Sequence, residues 1–290
     1  MTVTNALLST PGRSLPAGFR AGTRELTEWD REIRQPVAAN RRVSLVQVGR
    51  ESGLSTTTAL VTAVLSRRRN GSVLAVDASN GSVGLAERCG LADEPRETAP
   101  SRTRSRATTR ADAVAGLSLT AEGAHLLGIG GPSGTRSTDD ASKMPTVPGW
   151  LGSAGVIARF FDVVVTDWGG RTSRADLQAI AALSHVVCVV ARADRAEAEY
   201  ARTLLTAVAG SPERPHTLLV LIDRDNTAGR VPAIMAASTP VITIPFDPAR
   251  SAAAGNGGRL RARTRRAAIR LAAELMQGAR GTGTPRRETA

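Results

Sequence analysis

The residues best placed to do chemistry lie between Arg42 and Asp77, in the run RVSLVQVGRESGLSTTTALVTAVLSRRRNGSVLAVD. An apolar stretch leads into a turn marked by Gly49 and Gly53, hydroxyls follow at Ser55, Thr56, Thr57 and Thr58, and a second apolar stretch ends on Asp77. Strand, glycine turn and helix in that order form a phosphate cradle, because backbone N–H groups of the turn and the start of the helix face an anion. Such a cradle also needs a lysine to reach the terminal phosphates. Thr56 stands in its place, and the chain's single lysine, Lys143, lies in a distant polar segment. The plain alternative is an ordinary β–α turn capped by Ser55 or Thr56.

The elements that must position these groups alternate along the chain. Strands are expected at 43–48, 72–77, 124–129, 161–167, 185–191, 216–222 and 240–245. These runs are apolar throughout and do not alternate with polar residues, which marks strands covered on both faces of a parallel sheet. Helices are expected at 55–69, 149–160, 173–183, 194–209, 229–237 and 259–277. The fold class is therefore α/β, a doubly wound, mostly parallel sheet with helices on both faces. Residues 1–22 are expected to be disordered and 23–40 to form a short helix and linker. That helix would be capped by Thr23 and ended by Pro36. Residues 41–278 would form the domain and 279–290 a disordered tail. The polar segments 93–112 and 130–148 interrupt the pattern, and disorder is expected in the first half of each.

Composition narrows the function classes. A chain of 290 residues with 41% hydrophobic content supports a core, and with 3% aromatics that core is aliphatic. The net charge of +12 is carried almost wholly by arginine. It permits an acidic partner such as DNA or an anionic membrane surface, although much of it reads as solvated surface. Cys89 and Cys188 are no disulfide framework. No apolar run reaches the ~18 residues that a membrane span needs, and the first twenty residues lack a secretory h-region. The expected location is the cytoplasm, with the inner face of the cell membrane as a peripheral address. His125, His185 and His216 each begin a strand without metal-ligand spacing, so their expected role is structural. The glycines of GIGGPSG (Gly128, Gly130, Gly134) are followed by a proline-containing loop and not a helix, which reads as a turn. The final helix places Leu260, Ala268, Leu271, Ala272 and Leu275 on one face and Arg259, Arg261, Arg263, Arg265, Arg266 and Arg270 toward its start. Packing of that apolar face on the sheet is the simpler reading; an anionic membrane or nucleic acid is the other.

Taken together these motifs resemble the MinD/ParA family of P-loop ATPases. GRESGLSTTT overlays the family's KGGxGKTT loop, with Glu51 at its first lysine, Ser52 and Gly53 at two glycines, Leu54 at the variable site, Ser55 at the third glycine, Thr56 at the catalytic lysine and Thr57 and Thr58 at the paired threonines. FDVVVTDWGG resembles the Walker B strand with Asp167 at the acidic position. ITIPFDPA resembles the segment bordering adenine, with Pro245 and Asp247. The pairing of IPFDPA with RLRARTRRAAIRLAAEL is similar to MinD-like proteins encoded with actinobacterial type VII secretion systems.

The resemblance implies a P-loop NTPase-like fold, with ATP and Mg²⁺ as the cofactors of an active member. Gly53, Leu54, Ser55, Thr56, Thr57, Thr58, Pro245 and Asp247 would then border the nucleotide, and Thr57, Asp77 and Asp167 the metal. The departures weaken that chemistry. Loss of the lysine removes a charge-assisted contact of ~1.5–3 kcal/mol. Glu51 repels phosphate, and Ser52 and Ser55 replace residues that admit positive φ. Arg50 carries charge beside the turn, but its planar fork does not mimic a lysine. Three readings stand. One is a non-hydrolysing regulatory or scaffolding protein of a secretion or positioning system, acting as a homodimer or beside an active relative, with no bound cofactor. The second is an ATPase whose cation comes from elsewhere, and the third is a ParA-like partitioning protein that binds DNA without base readout.

Overall fold

The computed structural model describes residues 17–49, 51–79, 84–91, 96–97, 100–130, 144–226, 240–250 and 259–281. Among them the strands are β1 (Arg41–Gln47), β2 (Val73–Asp77), β3 (Arg96–Glu97), β4 (Ser118–Leu119), β5 (His125–Ile129), β6 (Val163–Gly170), β7 (Val186–Arg192), β8 (His216–Ile222) and β9 (Val241–Ile244). The α-helices are α1 (Ala17–Arg34), α2 (Leu54–Arg68), α3 (Leu85–Arg88), α4 (Arg102–Ser105), α5 (Arg110–Val114), α6 (Val147–Trp150), α7 (Arg174–Leu183), α8 (Arg195–Ala209) and α9 (Ala262–Gly281). The strands form one sheet in the order β3-β5-β2-β6-β1-β7-β8-β9, with β4 paired to β5. Every pair is parallel except β4 with β5. The doubly wound α/β class is as expected from the sequence.

Period-two alternation divides the core between the two faces. Val43 and Leu45 of β1 point to the face covered by α1, α2 and α9, where Ile33, Leu54, Val61, Leu65, Leu271, Leu275 and Met276 are buried. Val46 points to the opposite face, toward Leu177 and Ile180 of α7, Leu205 and Val208 of α8, and Trp150 and Trp168. Ser44 also points there, and its hydroxyl accepts the Trp168 indole N–H at 3.0 Å. The same hydroxyl lies 2.7 Å from Ser184 Oγ, which in turn donates to Ile180 O at 2.5 Å. Trp150 Nε1 donates to Thr166 Oγ1 at 3.1 Å. These two fully buried indoles thus find the polar partners that burial requires of them.

Several local expectations need correction. Helix α1 begins at Ala17, so Thr23 lies inside it and caps nothing; its carbonyl accepts the Thr27 hydroxyl one turn later. Residues 17–22, expected to be disordered, are helical, and 1–16 lie outside the described residues. The helix ends at Arg34, ahead of Pro36, as proline sterics dictate. On α2 the buried positions include Leu54, Val61 and Leu65, whereas Leu60 and Val64 are only partly covered. The stretch 149–160 is not one α-helix. Val147–Trp150 turns into a wide π-type turn at Leu151–Gly155 and a 3₁₀ turn at Ala158–Phe160, because three glycines and Pro148 deny it helix propensity. In the polar segment, Arg96–Glu97 pair with Gly128 and Ile129, and Thr109 with Asp112 forms a capping box on α5. Residues 279–281, expected in the disordered tail, continue α9, and the helix expected at 229–237, Gly134, Arg50, the first half of 130–148 apart from Gly130, and residues 282–290 lie outside the described residues. Gly130 itself sits at φ 111°, as a turn glycine does.

All three histidines lie at strand starts, and burial lowers the pKa of each. His185 goes furthest. Burial first, and then the charges of Arg41 and Arg42, push it down to about 3, and its Nδ1 accepts the Arg42 N–H at 3.0 Å. A histidine whose folded pKa is depressed contributes stability fully above its unfolded pKa of 6.5. That stability drains as pH falls, because the unfolded chain binds the proton first. Between pH 6.5 and 5, where carboxylates scarcely titrate, His185 accounts for about 1–2 kcal/mol of lost stability. The thermal midpoint, followed by circular dichroism, therefore declines in that window, and His185→Gln flattens the decline.

Candidate functional site

The loop from Val48 to Gly53 joins β1 to α2 at the carboxyl edge of the sheet, beside the ends of β6 and β7. Open α/β sheets gather their ligands at this edge. Two residues turn the chain into the helix. Gly53 is the N-cap at φ 83°, and no side chain caps α2. The expected cap by Ser55 or Thr56 is therefore corrected, since both already belong to the helix. Gly53 is the glycine that the turn cannot lose, because its conformation is left-handed and a Cβ there would meet Ile222 at 3.4 Å. Glu51 is also left-handed, at φ 57°, a conformation uncommon for a residue with a side chain. Its carbonyl accepts from Arg224 Nη1 at 2.9 Å, and its carboxylate lies 3.5 Å from the same guanidinium.

The hydroxyls of α2 are turned onto the backbone. Thr57 Oγ1 donates to Gly53 O at 2.9 Å, and Thr58 Oγ1 to Leu54 O at 3.1 Å. Both threonines are fully buried, and Leu54 packs in the core, while Ser55 and Thr56 are half-buried. Ser52, in the middle of the turn, is also fully buried. Its hydroxyl lies 2.8 Å from Gly49 O and 3.3 Å from Glu197 Oε2.

The aspartates at the strand ends occupy neighbouring positions. Asp77 and Asp167 are register partners on β2 and β6, and Asp167 also pairs with Leu45 of β1. Both are fully buried. Asp77 Oδ1 accepts Ser79 N at 3.1 Å and Ser79 Oγ at 2.7 Å, while Oδ2 accepts Leu85 N at 2.8 Å. Asp167 Oδ1 accepts Gly169 N at 2.9 Å. Gly169 takes φ 70° and lies so close to Ser79 that a Cβ would stand 3.3 Å from its Cα. Each carboxylate thus ties the end of its own strand to the turn that follows it, Asp77 after β2 and Asp167 after β6.

Pro245 and Asp247 follow β9, two strands from β7. Pro245 is half-buried and Asp247 is buried. Asp247 Oδ2 accepts Arg261 N at 2.8 Å, and Oδ1 accepts Ala249 N at 3.1 Å. Although burial opposes the charge, hydrogen bonds from Thr264, Arg261 and Ala249 hold its carboxyl below the usual range. It anchors the start of α9.

Two residues beside the loop escaped the sequence reading. Glu197 comes from the first turn of α8. Its Oε2 accepts Arg192 N at 2.7 Å, and its Oε1 accepts Arg192 Nε at 2.6 Å. It presses on the loop so closely that a Cβ on Gly49 would lie 2.4 Å from Oε1. Asp194 caps α8 three residues earlier, a spacing visible in the sequence. The contact with Ser52, 145 residues away, has no local signal. Arg224, 173 residues from Glu51, is the second.

The arginines of α9 and of the residues just before it divide. Arg259, Arg261, Arg263, Arg265 and Arg270 are exposed, although Arg263 donates to Phe246 O. Arg266 bonds Glu25 of α1 and lies 5.4 Å over the Trp29 ring, and Arg280 bonds Glu32. The apolar face of α9 is packed on the sheet and α1, as the simpler reading had it. Among the described residues no helix is long and apolar enough to cross a membrane.

An open parallel sheet with a glycine-capped loop at the end of its central strand defines a P-loop NTPase-type α/β protein. No protein-family model matches the chain, and no curated protein matches it in sequence. Solved structures do match. A ParA family ATPase from Chlorobium tepidum TLS superimposes with a TM-score of 0.59 at 14% identity, covering 81% of this chain and 98% of that one. The MinC:MinD cell division complex of Aquifex aeolicus gives 0.55 at 13%, covering 86% and 98%. MinD of Pyrococcus horikoshii OT3, complexed with Mg-ADP, gives 0.55 at 17%, covering 80% and 94%. The chain has the fold of the MinD/ParA ATPases.

Proposed function

We propose that this protein is a non-hydrolysing member of the MinD/ParA group with a degenerate phosphate loop. It acts through its surface as a regulatory or scaffolding component, paired with itself or with an active relative, in a type VII secretion or cell-positioning system. What carries the reading is that the groups suited to Mg²⁺ and triphosphate are committed inward. Thr57 is bonded to Gly53 O, Asp77 is filled by Ser79 and Leu85, and Asp247 holds α9. The side chains described do not suit ATP–Mg²⁺: no lysine stands in the loop, and two arginines beside it, Arg224 and Arg192, are paired with Glu51 and Glu197. The secretion setting rests on the resemblance of IPFDPA and the basic helix to the type VII-associated proteins. That one structural relative is a MinC:MinD complex supports a partner-binding role.

Calorimetric titration with ATP and Mg²⁺ tests the proposal. No heat of binding is expected at micromolar protein and sub-millimolar nucleotide, and phosphate release stays at the buffer rate. Micromolar affinity with Mg²⁺-dependent turnover abolished by Asp167→Ala overturns it in favour of an ATPase with an unconventional cation.

A further inference from the structure

We propose that Glu197 is an internal latch on the loop, ordering from within a turn that in the P-loop design closes around a bound anion. The inference rests on the reading above, since a latched loop has no need of nucleotide. Its carboxylate links three elements. It receives the backbone and side chain of Arg192 at the end of β7, stands on the first turn of α8, and faces Ser52 and Gly49 of the loop. Asp194 fixes the backbone of Glu197 by accepting its N–H at 2.9 Å, so the side chain is delivered from a rigid helix start. The side chain is only 13% exposed, and its charge is balanced by Arg192 at 2.6 Å. A carboxylate so placed forms charge-assisted bonds that hold better than neutral ones. Arg224, just beyond the end of β8, donates to the carbonyl of Glu51, which takes a left-handed conformation. The loop is therefore held by side chains of its own chain that follow β7 and β8, both on one side of β1.

Amide hydrogen exchange without nucleotide tests the latch. In Glu197→Gln, which keeps the shape and removes the charge, and in Ser52→Ala, which removes the hydroxyl that faces both Glu197 and Gly49 O, amides of residues 51–56 are expected to exchange at least tenfold faster. Amides of β2 and β5 should stay as in the unaltered protein, which also reports that the variants are folded. If Glu197→Gln disrupts the fold, Glu197→Asp, which keeps the charge but withdraws it from the loop, carries the test, because Ser52→Ala also loses the Ser52–Gly49 bond. Unchanged exchange at 51–56 in the folded variants overturns the latch. The test involves no nucleotide, so its failure is separate from failure of the non-hydrolysing reading, which ATP titration of the unaltered protein decides.

Discussion

Asp77→Asn should lower the thermal midpoint by roughly 6–12 °C. The carboxylate is fully buried and accepts three hydrogen bonds from Ser79 and Leu85. Asparagine supplies one oxygen where two are used, and sets an NH₂ against a donor that cannot turn away. Hydrogen bonds to a charged group contribute about 1.5–3 kcal/mol each, and a buried donor left alone costs about 1–3. Losing one such bond and softening the others costs about 3 kcal/mol. For a chain of this size that converts at about 2–4 °C per kcal/mol. The measurement separates two roles for the same residue. A carboxylate kept for Mg²⁺ would leave the ligand-free protein's stability unmoved when neutralised. A carboxylate that laces β2 to the following turn cannot. A shift under 2 °C by scanning calorimetry would sink the lacing role.

Trp168→Ala is expected to cost about 3–5 kcal/mol, as large-to-small changes in a packed core do. The ring is fully buried on β6, 6.3 Å from Trp150, and the Arg171 guanidinium lies 5.5 Å over its face. Its N–H anchors the chain Ser44–Ser184–Ile180. Trp168→Phe retains most of the packing but leaves Ser44 short of its donor, so it should cost only about 1–2 kcal/mol. Urea unfolding followed by far-ultraviolet circular dichroism, which does not depend on the deleted fluorophore, gives both values. Equal losses in the two variants would mean that the hydrogen bond outweighs the ring.

The sheet was legible because its strands are continuous apolar runs, and only a strand covered on both faces can be apolar at every position. Strands of two residues, Arg96–Glu97 and Ser118–Leu119, carry no periodicity and were missed. The start of α2 was misread because Ser55 and Thr56 are good caps in isolation. The chain instead gives the turn to Gly53, whose φ no capping serine would favour. Asp77 and Asp167 could be placed at neighbouring strand ends from the sequence, but their commitments to Ser79, Leu85 and Gly169 could not. Those depend on how each strand leaves the sheet. Glu197 and Arg224 lay further from reach, since what brings them to the loop is the order in which β7 and then β8 follow β1 across the sheet.

Among the described residues the helix with the most arginines, α9, is also a wall of the core, with Leu271, Leu275 and Met276 buried beneath it and two of its cations clasped by α1. A polyanion drawn to its outer arginines would be pulling on a structural beam and not on a tether. Electrostatic capture and global unfolding would rest on different forces. Salt that weakens the first would leave the second nearly untouched, because apolar contacts hold the beam in place.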